Sequence, residues 1–333
     1  MSIEIFGARL TRQERFDYGL QRIYPRPWGN LMTCCVAALC DKGKSVVLVA
    51  DKMIGTPMIE GEPEITKILW LHPDWRIMIA GDDICPAFPI IASAKERLRR
   101  HRGRLTVEHV MDCVYECYSK EREKVAEAVY LKPRGWTIST FNSRASVGII
   151  PKRTRKELGD KFSNQKLEVT FLIAGFDGSG KGHIFSLDEY EHRGHPRKQD
   201  IPGFHAIGSG GPGAIYMMTY RDVSSSMPLR LMIYYALEGK YFGELAGSVG
   251  TRTDLLILRS GKPPFKIKEK VLDKKLFRLC QKIQPRNLTQ SHVDALNGLI
   301  GSHFNEIPKL KTKKEEGELI ITAERTISRK VKR

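Results

Sequence analysis

The stretch TCCVAALCDKGKSVVLVADKM, Thr33 to Met53, carries the strongest structural signal in the chain. Two short apolar runs flank the polar tetrapeptide 41–44, whose Gly43 suits a tight turn. Runs of this length and composition on either side of a turn predict a buried β-hairpin. A hydroxyl and two thiols stand at its head, directly after Met32.

Similar patterns extend outward from this hairpin. Strands are predicted on both sides of residues 72–74 and of the glycine-rich turn 178–181. Between these hairpins, apolar residues three and four apart over 87–131 are typical of two amphipathic helices. A short strand, two helices and a last strand follow over 203–260. Because the strands and helices are segregated along the chain, the pattern predicts an α+β fold with antiparallel sheets between helical layers.

The two ends of the chain differ in composition from this central part. Residues 1–32 are polar and include YPRPWGN, in which two prolines and a glycine disfavour regular structure. The sequence becomes lysine-rich after Gly261. We therefore predict an N-terminal extension over 1–32, a core domain over 33–262 and a basic C-terminal extension over 263–333, with one helix within Asn287–Phe304.

Composition narrows the class of protein. Of the 333 residues, 41% are hydrophobic, which is enough for a core and argues against wholesale disorder. No apolar run approaches the ~20 residues of a membrane span, and no secretory signal is apparent, so we expect a cytoplasmic protein without a membrane partner. The net charge of +17 leaves a nucleic-acid or other polyanion partner open, although a solvated basic surface with basic tails explains the charge better.

No cofactor or metal site is expected. The segment GFDGSGKG, Gly175 to Gly182, approaches a phosphate-binding loop, but it lacks the final hydroxyl residue and leads into a strand pattern. A hairpin turn explains it better. Cys113 and Cys117 lie one helical turn apart and are expected to be core residues rather than metal ligands.

The head of the first hairpin offers groups for nucleophilic catalysis. If Thr33 were a chain terminus, its α-amine, with a reference pKa of about 7.7–8.0, could act as general base for its own hydroxyl. Such a pair needs a cation to lower the amine pKa, a carboxylate to hold the cation and an amide donor for the oxyanion. Lys67, Asp51 and Gly81 are the candidates, at the start of the third strand and at the ends of the second and fourth.

These motifs resemble the proteasome β-subunits and bacterial proteasome-like peptidases of the N-terminal-nucleophile (Ntn) hydrolase superfamily. The similarity covers about Thr33 to Ser260 and runs in order through TCCVAAL, SVVLVADKM, ITKILWL, IMIAGDD, LIAGFD and AIGSGGPGA. Each motif alone is weakly specific, and their common order carries the resemblance.

The resemblance implies a four-layer αββα sandwich. It also implies threonine-type hydrolysis of peptides or unfolded proteins within a self-assembled homo-oligomeric ring, with a regulatory ATPase as a possible partner. Thr33 would be the nucleophile, and Ser209 and Ser248 would order the terminus. The catalytic residues that the resemblance implies are Thr33, Asp51, Lys67, Gly81, Ser209 and Ser248.

Two features at the head of the hairpin leave alternatives open. The segment from Thr33 to Asp51 is longer than usual in the family, so a count without a gap places Cys35 at the nucleophile position. Thr33 and Cys35 share one face of the strand. In addition, Met32 stands where processed family members often have glycine, so residues 1–32 would have to be removed as a propeptide.

Other functions also fit the sequence. The family carries an Asp-x-x-Ser motif late in the domain. Ser248 stands at a plausible place for its serine, but Glu244 lies one residue out of register with its aspartate. A non-catalytic structural subunit of a proteasome-like assembly is therefore an alternative. A polyanion-binding protein that uses its basic tail on an inert core is a third hypothesis.

Overall fold

The computed structural model describes residues 33–56, 59–61, 66–188, 194–246, 249–267, 289–301, 307–315 and 318–323. The predicted N-terminal extension and the candidate Ser248 lie outside these residues.

The described residues form strands and α-helices in the following order along the chain. The strands are β1 (Cys35–Cys40), β2 (Ser45–Asp51), β3 (Ile54–Thr56), β4 (Ile59–Gly61), β5 (Ile68–His72), β6 (Trp75–Gly81), β7 (Val169–Phe176), β8 (Gly182–Leu187), β9 (Pro196–Lys198), β10 (Phe204–Ile207), β11 (Thr253–Arg259), β12 (Lys262–Ile267), β13 (Leu310–Glu315) and β14 (Glu318–Ala323). The helices are α1 (Ala87–Arg100), α2 (Val107–Ala126), α3 (Ile138–Ser146), α4 (Lys152–Ser163), α5 (Gly211–Tyr220), α6 (Leu229–Gly243) and α7 (Gln290–Gly301). None of these described helices combines the length and apolarity that crossing a bilayer requires.

Two five-stranded sheets dominate the fold. The first has the order β10-β1-β2-β11-β12 and the second the order β5-β6-β7-β8-β9. Neighbouring strands are antiparallel in both sheets. The predictions of an α+β fold and of hairpins at β1–β2, β5–β6 and β7–β8 are confirmed.

The β1–β2 hairpin occupies the centre of the first sheet. Cys35 pairs with Ala50 and Cys40 with Ser45, and all residues of both strands are buried. In the turn, the Asp41 carboxylate accepts hydrogen bonds from the Ser45 hydroxyl at 3.0 Å and from the Leu229 amide at 3.1 Å. The closed end of the hairpin is therefore tied to the start of α6.

Alternation along the strands divides the core into layers. Odd and even positions of β1 and β2 face opposite sides, as the period of 2 requires. The layer between the sheets includes Cys35, Ala37, Leu48, Met78 and Leu172. Helices α5 and α6 pack on the outer face of the first sheet, and α1 and α2 pack on that of the second. This helix–sheet–sheet–helix order is compatible with the expected four-layer sandwich.

Helices α3 and α4 were not predicted. With a short π-helical turn at Glu127–Leu131, they enclose a small separate core that contains Leu131, Phe141, Ile150 and Leu158. Leu158 is the buried residue of α4, whose other positions are mostly charged. Because few apolar residues mark these helices, their stability depends on contacts that sequence periodicity does not reveal.

The core continues past residue 262, where we expected it to end. Strand β12 pairs with β11, and its last residue, Ile267, is buried. The helix expected within Asn287–Phe304 is confirmed as α7, and Val293 and Leu296 pack in the same core as α6. Strands β13 and β14 form a hairpin where we expected a solvated tail.

A histidine on β8 lies between two carboxylates. His183 Nδ1 is 2.7 Å from Asp200 Oδ2, and Nε2 is 3.3 Å from Asp177 Oδ2. Burial alone lowers the pKa of His183, but the hydrogen bonds and charges of Asp200 and Asp177 outweigh it and raise the pKa above the usual value. The protonated imidazole therefore stabilises the folded state.

This arrangement predicts a pH-dependent free energy of unfolding. Because the pKa of His183 is raised in the folded state, its contribution is complete below about pH 6 and is lost as the pH rises through the folded-state pKa. Urea unfolding between about pH 5.5 and 8.5 should show a decline in the wild type that is smaller in His183→Gln. The exposed His101→Gln variant is the control, and equal pH dependence in all three proteins would contradict the prediction.

Candidate active site

Thr33 and Lys67 meet where the two sheets face each other. Thr33 lies two residues before the start of β1 in the first sheet and is 6% exposed. Lys67 directly precedes β5 of the second sheet, and its ammonium donates a hydrogen bond of 2.7 Å to Thr33 Oγ1. The structure thus brings the two residues together from opposite sheets, 34 positions apart in sequence.

The carboxylate of Asp51 holds this lysine in place. Lys67 Nζ lies 2.9 Å from Asp51 Oδ1 and 3.1 Å from Oδ2. The amides of Cys34, Met53 and Gly250 also donate to Asp51, at 2.9, 3.0 and 3.1 Å. Asp51 is fully buried, and these donors compensate a charge that would otherwise be costly there.

The loop 208–210 clamps the backbone of Thr33. The Gly210 amide donates to the Thr33 carbonyl at 3.1 Å, and Ser209 Oγ lies 3.4 Å from both the nitrogen and the carbonyl oxygen of Thr33. Gly208 has φ +90°, and a Cβ there would lie 2.2 Å from the Thr33 carbonyl oxygen. Only glycine permits this close approach, which places Ser209 beside Thr33.

Gly81 lies at the last position of β6 and packs tightly. It pairs with Val169, and a Cβ on Gly81 would lie 2.3 Å from the Glu168 carbonyl oxygen. Two residues earlier on β6, the Ile79 carbonyl oxygen lies 3.8 Å from the Cys35 thiol. The end of β6 therefore faces the start of β1, on the side of Thr33.

Thr33 suits a nucleophile better than Cys35 does. Cys35 is fully buried in the layer between the sheets, and burial raises the pKa of its thiol well above the usual value. Burial, followed by the charge of Asp51, also raises the pKa of Cys34, to about 12. Because a thiol attacks as its thiolate, these buried thiols are poorly suited to nucleophilic chemistry.

Lys240 is a buried charge beside the site that the sequence analysis missed. Its ammonium is fully buried and donates to the carbonyls of Gly250 and Thr251 at 2.9 and 3.1 Å, and to the Glu244 carboxylate. Since Gly250 in turn donates to Asp51, Lys240 holds the segment that supports the carboxylate. A lysine one turn before an acidic residue, in a largely apolar helix whose other charged residues are Arg230 and Glu238, was the available signal.

The expectation of Cys113 and Cys117 as core residues agrees with their buried positions on α2. Within the described residues, no group of three or more His, Cys, Asp or Glu side chains is arranged to hold a metal ion.

The buried thiols yield a chemical prediction. Iodoacetamide at about pH 8.5 should leave Cys34 and Cys35 unmodified in the native protein, because attack requires an accessible thiolate. Both should react after denaturation in guanidinium, and the exposed Cys85 serves as the internal control. Peptide mass mapping measures the modification. Modification of Cys35 in the native protein would contradict the prediction that its thiol is unreactive.

The contacts of Lys240 predict that replacing Lys240 alone destabilises the protein more than replacing Lys240 and Glu244 together. Lys240→Met should lower the free energy of unfolding by about 3–5 kcal/mol, because it leaves Glu244 and two carbonyls without the ammonium. The double variant Lys240→Met/Glu244→Met should recover at least about 1 kcal/mol of this loss, since the carboxylate that the ammonium compensated is also removed. Urea unfolding measures both values, and a single variant as stable as the wild type would refute the prediction.

Comparison with protein-family models and with curated proteins found no match to this chain.

Proposed function

We propose that the protein is a threonine-type N-terminal-nucleophile peptidase with a proteasome-like fold. The observation that supports this most strongly is the Lys67 ammonium, 2.7 Å from the Thr33 hydroxyl and 2.9 Å from the Asp51 carboxylate. The facing sheets between helical layers agree with the four-layer Ntn-hydrolase sandwich that the sequence motifs suggest.

In the proposed reaction, cleavage of the Met32–Thr33 bond first exposes the α-amine of Thr33. This amine accepts the proton of the Thr33 hydroxyl while Oγ1 forms a bond to the carbonyl carbon of the substrate. The carbonyl π electrons move to oxygen, and a tetrahedral oxyanion results. The C–N bond of the substrate then breaks, and the protonated α-amine of Thr33 gives its proton to the leaving amine of the substrate.

Water completes the cycle. The Thr33 amine takes a proton from water as the water oxygen attacks the ester carbon. The C–Oγ1 bond breaks, and the proton returns to Oγ1. The acid product leaves, and the hydroxyl and the amine are restored.

The residues around Thr33 set the protonation state and the orientation of its α-amine and hydroxyl. The positive charge of Lys67 favours the neutral form of the nearby amine, which is the form that accepts a proton. Asp51 orients Lys67. Ser209, at 3.4 Å from the Thr33 nitrogen, orients the terminus, and Ser248 has the same proposed role. The Gly81 N–H is the proposed oxyanion donor, since β6 ends on the Thr33 side of the layer between the sheets.

The same resemblance extends the proposal to substrate and assembly. Peptides or unfolded proteins are the proposed substrates, in a cytoplasmic homo-oligomeric ring with a regulatory ATPase as a possible partner. The alternative, a non-catalytic subunit of such an assembly, would retain residues 1–32 ahead of Thr33.

Hydrolysis of fluorogenic peptides tests the proposed function. Thr33→Ala should reduce kcat/KM by at least about 10³-fold, because it removes the nucleophile. Lys67→Met should reduce it by about 10²-fold or more, because the amine loses its neighbouring charge. Thr33→Ser should retain activity, and Cys35→Ala, a small change in a core position, is the matched control.

Intact-mass spectrometry separates the peptidase from the structural subunit. The active wild type must contain a species that begins at Thr33, and Thr33→Ala should retain residues 1–32 if the chain cleaves itself. A chain whose translation starts at Met32, once that methionine is removed, should be active without further processing. Activity that survives Thr33→Ala, or that accompanies only the unprocessed chain, would overturn the proposal.

A further inference from the structure

Within the expected core, residues 33–262, the net positive charge is concentrated in one segment. Residues 132–166 contain nine lysines and arginines but only two acidic residues, Glu157 and Asp160. The net charge of the segment is therefore +7. The rest of the expected core, 33–131 and 167–262, has a net charge of −1. The basic residues of this segment are Lys132, Arg134, Arg144, Lys152, Arg153, Arg155, Lys156, Lys161 and Lys166.

This segment, 132–166, is the basic module. It contains α3 and α4, whose small core is separate from the cores on both sides of the sheets. In the first two turns of α4, Lys152, Arg153, Arg155 and Lys156 are all exposed. The pKa of Glu157 is lowered by its hydrogen bond to Lys161 and by the charges of Arg134 and Arg153, so Glu157 lies within the positive field and only partly offsets it.

A pocket of about 500 Å³ lies between α2, α3 and α4. Its apolar lining includes Ile138, Phe141 and Phe162, and the two phenylalanine ring centroids are 6.3 Å apart. Arg122 and Glu123 of α2 also line the pocket. The pocket therefore offers apolar surface along α4, the helix that also carries exposed cations.

Apolar residues are also exposed on the loop between α3 and α4. Val147 is 69% exposed and Ile149 is 68% exposed. They lie in the short segment that leads into the cations at the start of α4. The module thus presents apolar and basic groups side by side, a combination suited to a peptide with both acidic and apolar side chains.

We propose that the basic module is a docking surface for an acidic protein segment that carries an apolar anchor side chain. Carboxylates of the segment pair with Arg153 and Lys156, and the anchor enters the pocket beside Phe141. A nucleic acid would use the cations, but its phosphates would leave the apolar pocket and the exposed Ile149 without a role. This inference is independent of the proposed peptidase function.

Fluorescence anisotropy with the full chain tests the proposal. The probe is a fluorescein-labelled 12-residue peptide with four glutamates and a central phenylalanine. A peptide with alanine in place of phenylalanine and a peptide with glutamines in place of the glutamates should each bind at least about tenfold more weakly, since each lacks one class of anchor. Wild-type binding should weaken with added salt.

Two sets of variants address the charges and the pocket separately. Arg153→Glu/Lys156→Glu should weaken binding at least about tenfold by reversing the charge that meets the acidic peptide. Gly159→Leu should do so by filling the pocket, because Gly159 lines it and a Cβ there meets no atom within 4 Å. Leucine also has a higher helix propensity than glycine, so this variant should fold. Lys44→Glu/Lys262→Glu, exposed charges outside the module, should bind like the wild type.

The outcomes are distinct. Loss of binding in both test variants, with normal binding in the control, supports the proposal. No binding of the peptide to the wild type at low salt would overturn it. So would tighter binding of duplex DNA than of the peptide with no effect of Gly159→Leu, because that result would indicate a phosphate-binding surface.

Discussion

The Lys67 ammonium forms a charged contact between the two sheets. It contacts the Thr33 hydroxyl and both oxygens of the Asp51 carboxylate, while its own backbone leads into the other sheet. All three side chains are buried, so removal of Lys67 or Asp51 would take away the charge that compensates the other. The facing edges of β1, β2 and β5 must therefore keep their relative positions for the charges to remain paired.

The backbone around this contact is equally constrained. Three amides converge on Asp51, and the glycine loop 208–210 holds the Thr33 carbonyl. Lys240 supports the Gly250 amide, because its ammonium donates a hydrogen bond to the carbonyl of the same residue. Because regular elements and close backbone contacts supply these groups, the arrangement is pre-organised, as electrostatic catalysis requires.

The two proposals assign chemistry and recognition to different parts of the chain. The reactive groups lie between two sheets in a core that is nearly neutral apart from the basic module. Within residues 33–262, the net positive charge that could attract a partner lies in the basic module, whose helices α3 and α4 have their own small core. Such a separation allows the exposed surface to vary without disturbing distances at Thr33.

Local sequence patterns were sufficient for much of the fold and for the central contacts of the site. Alternating apolar runs and turn residues predict the hairpins, because burial and turn geometry are local constraints. The positions of Thr33, Asp51 and Lys67 at strand ends, together with the family resemblance, were enough to predict that they meet. The sequence did not reveal α3 and α4, which have few apolar residues. It did not reveal the burial of Lys240 either, because that burial depends on how the segment at Gly250 and Thr251 packs against α6. Nor could it separate Thr33 from Cys35, since both lie on one strand face. Packing of the second sheet distinguishes them: it encloses the Cys35 thiol and brings the Lys67 ammonium to the Thr33 hydroxyl.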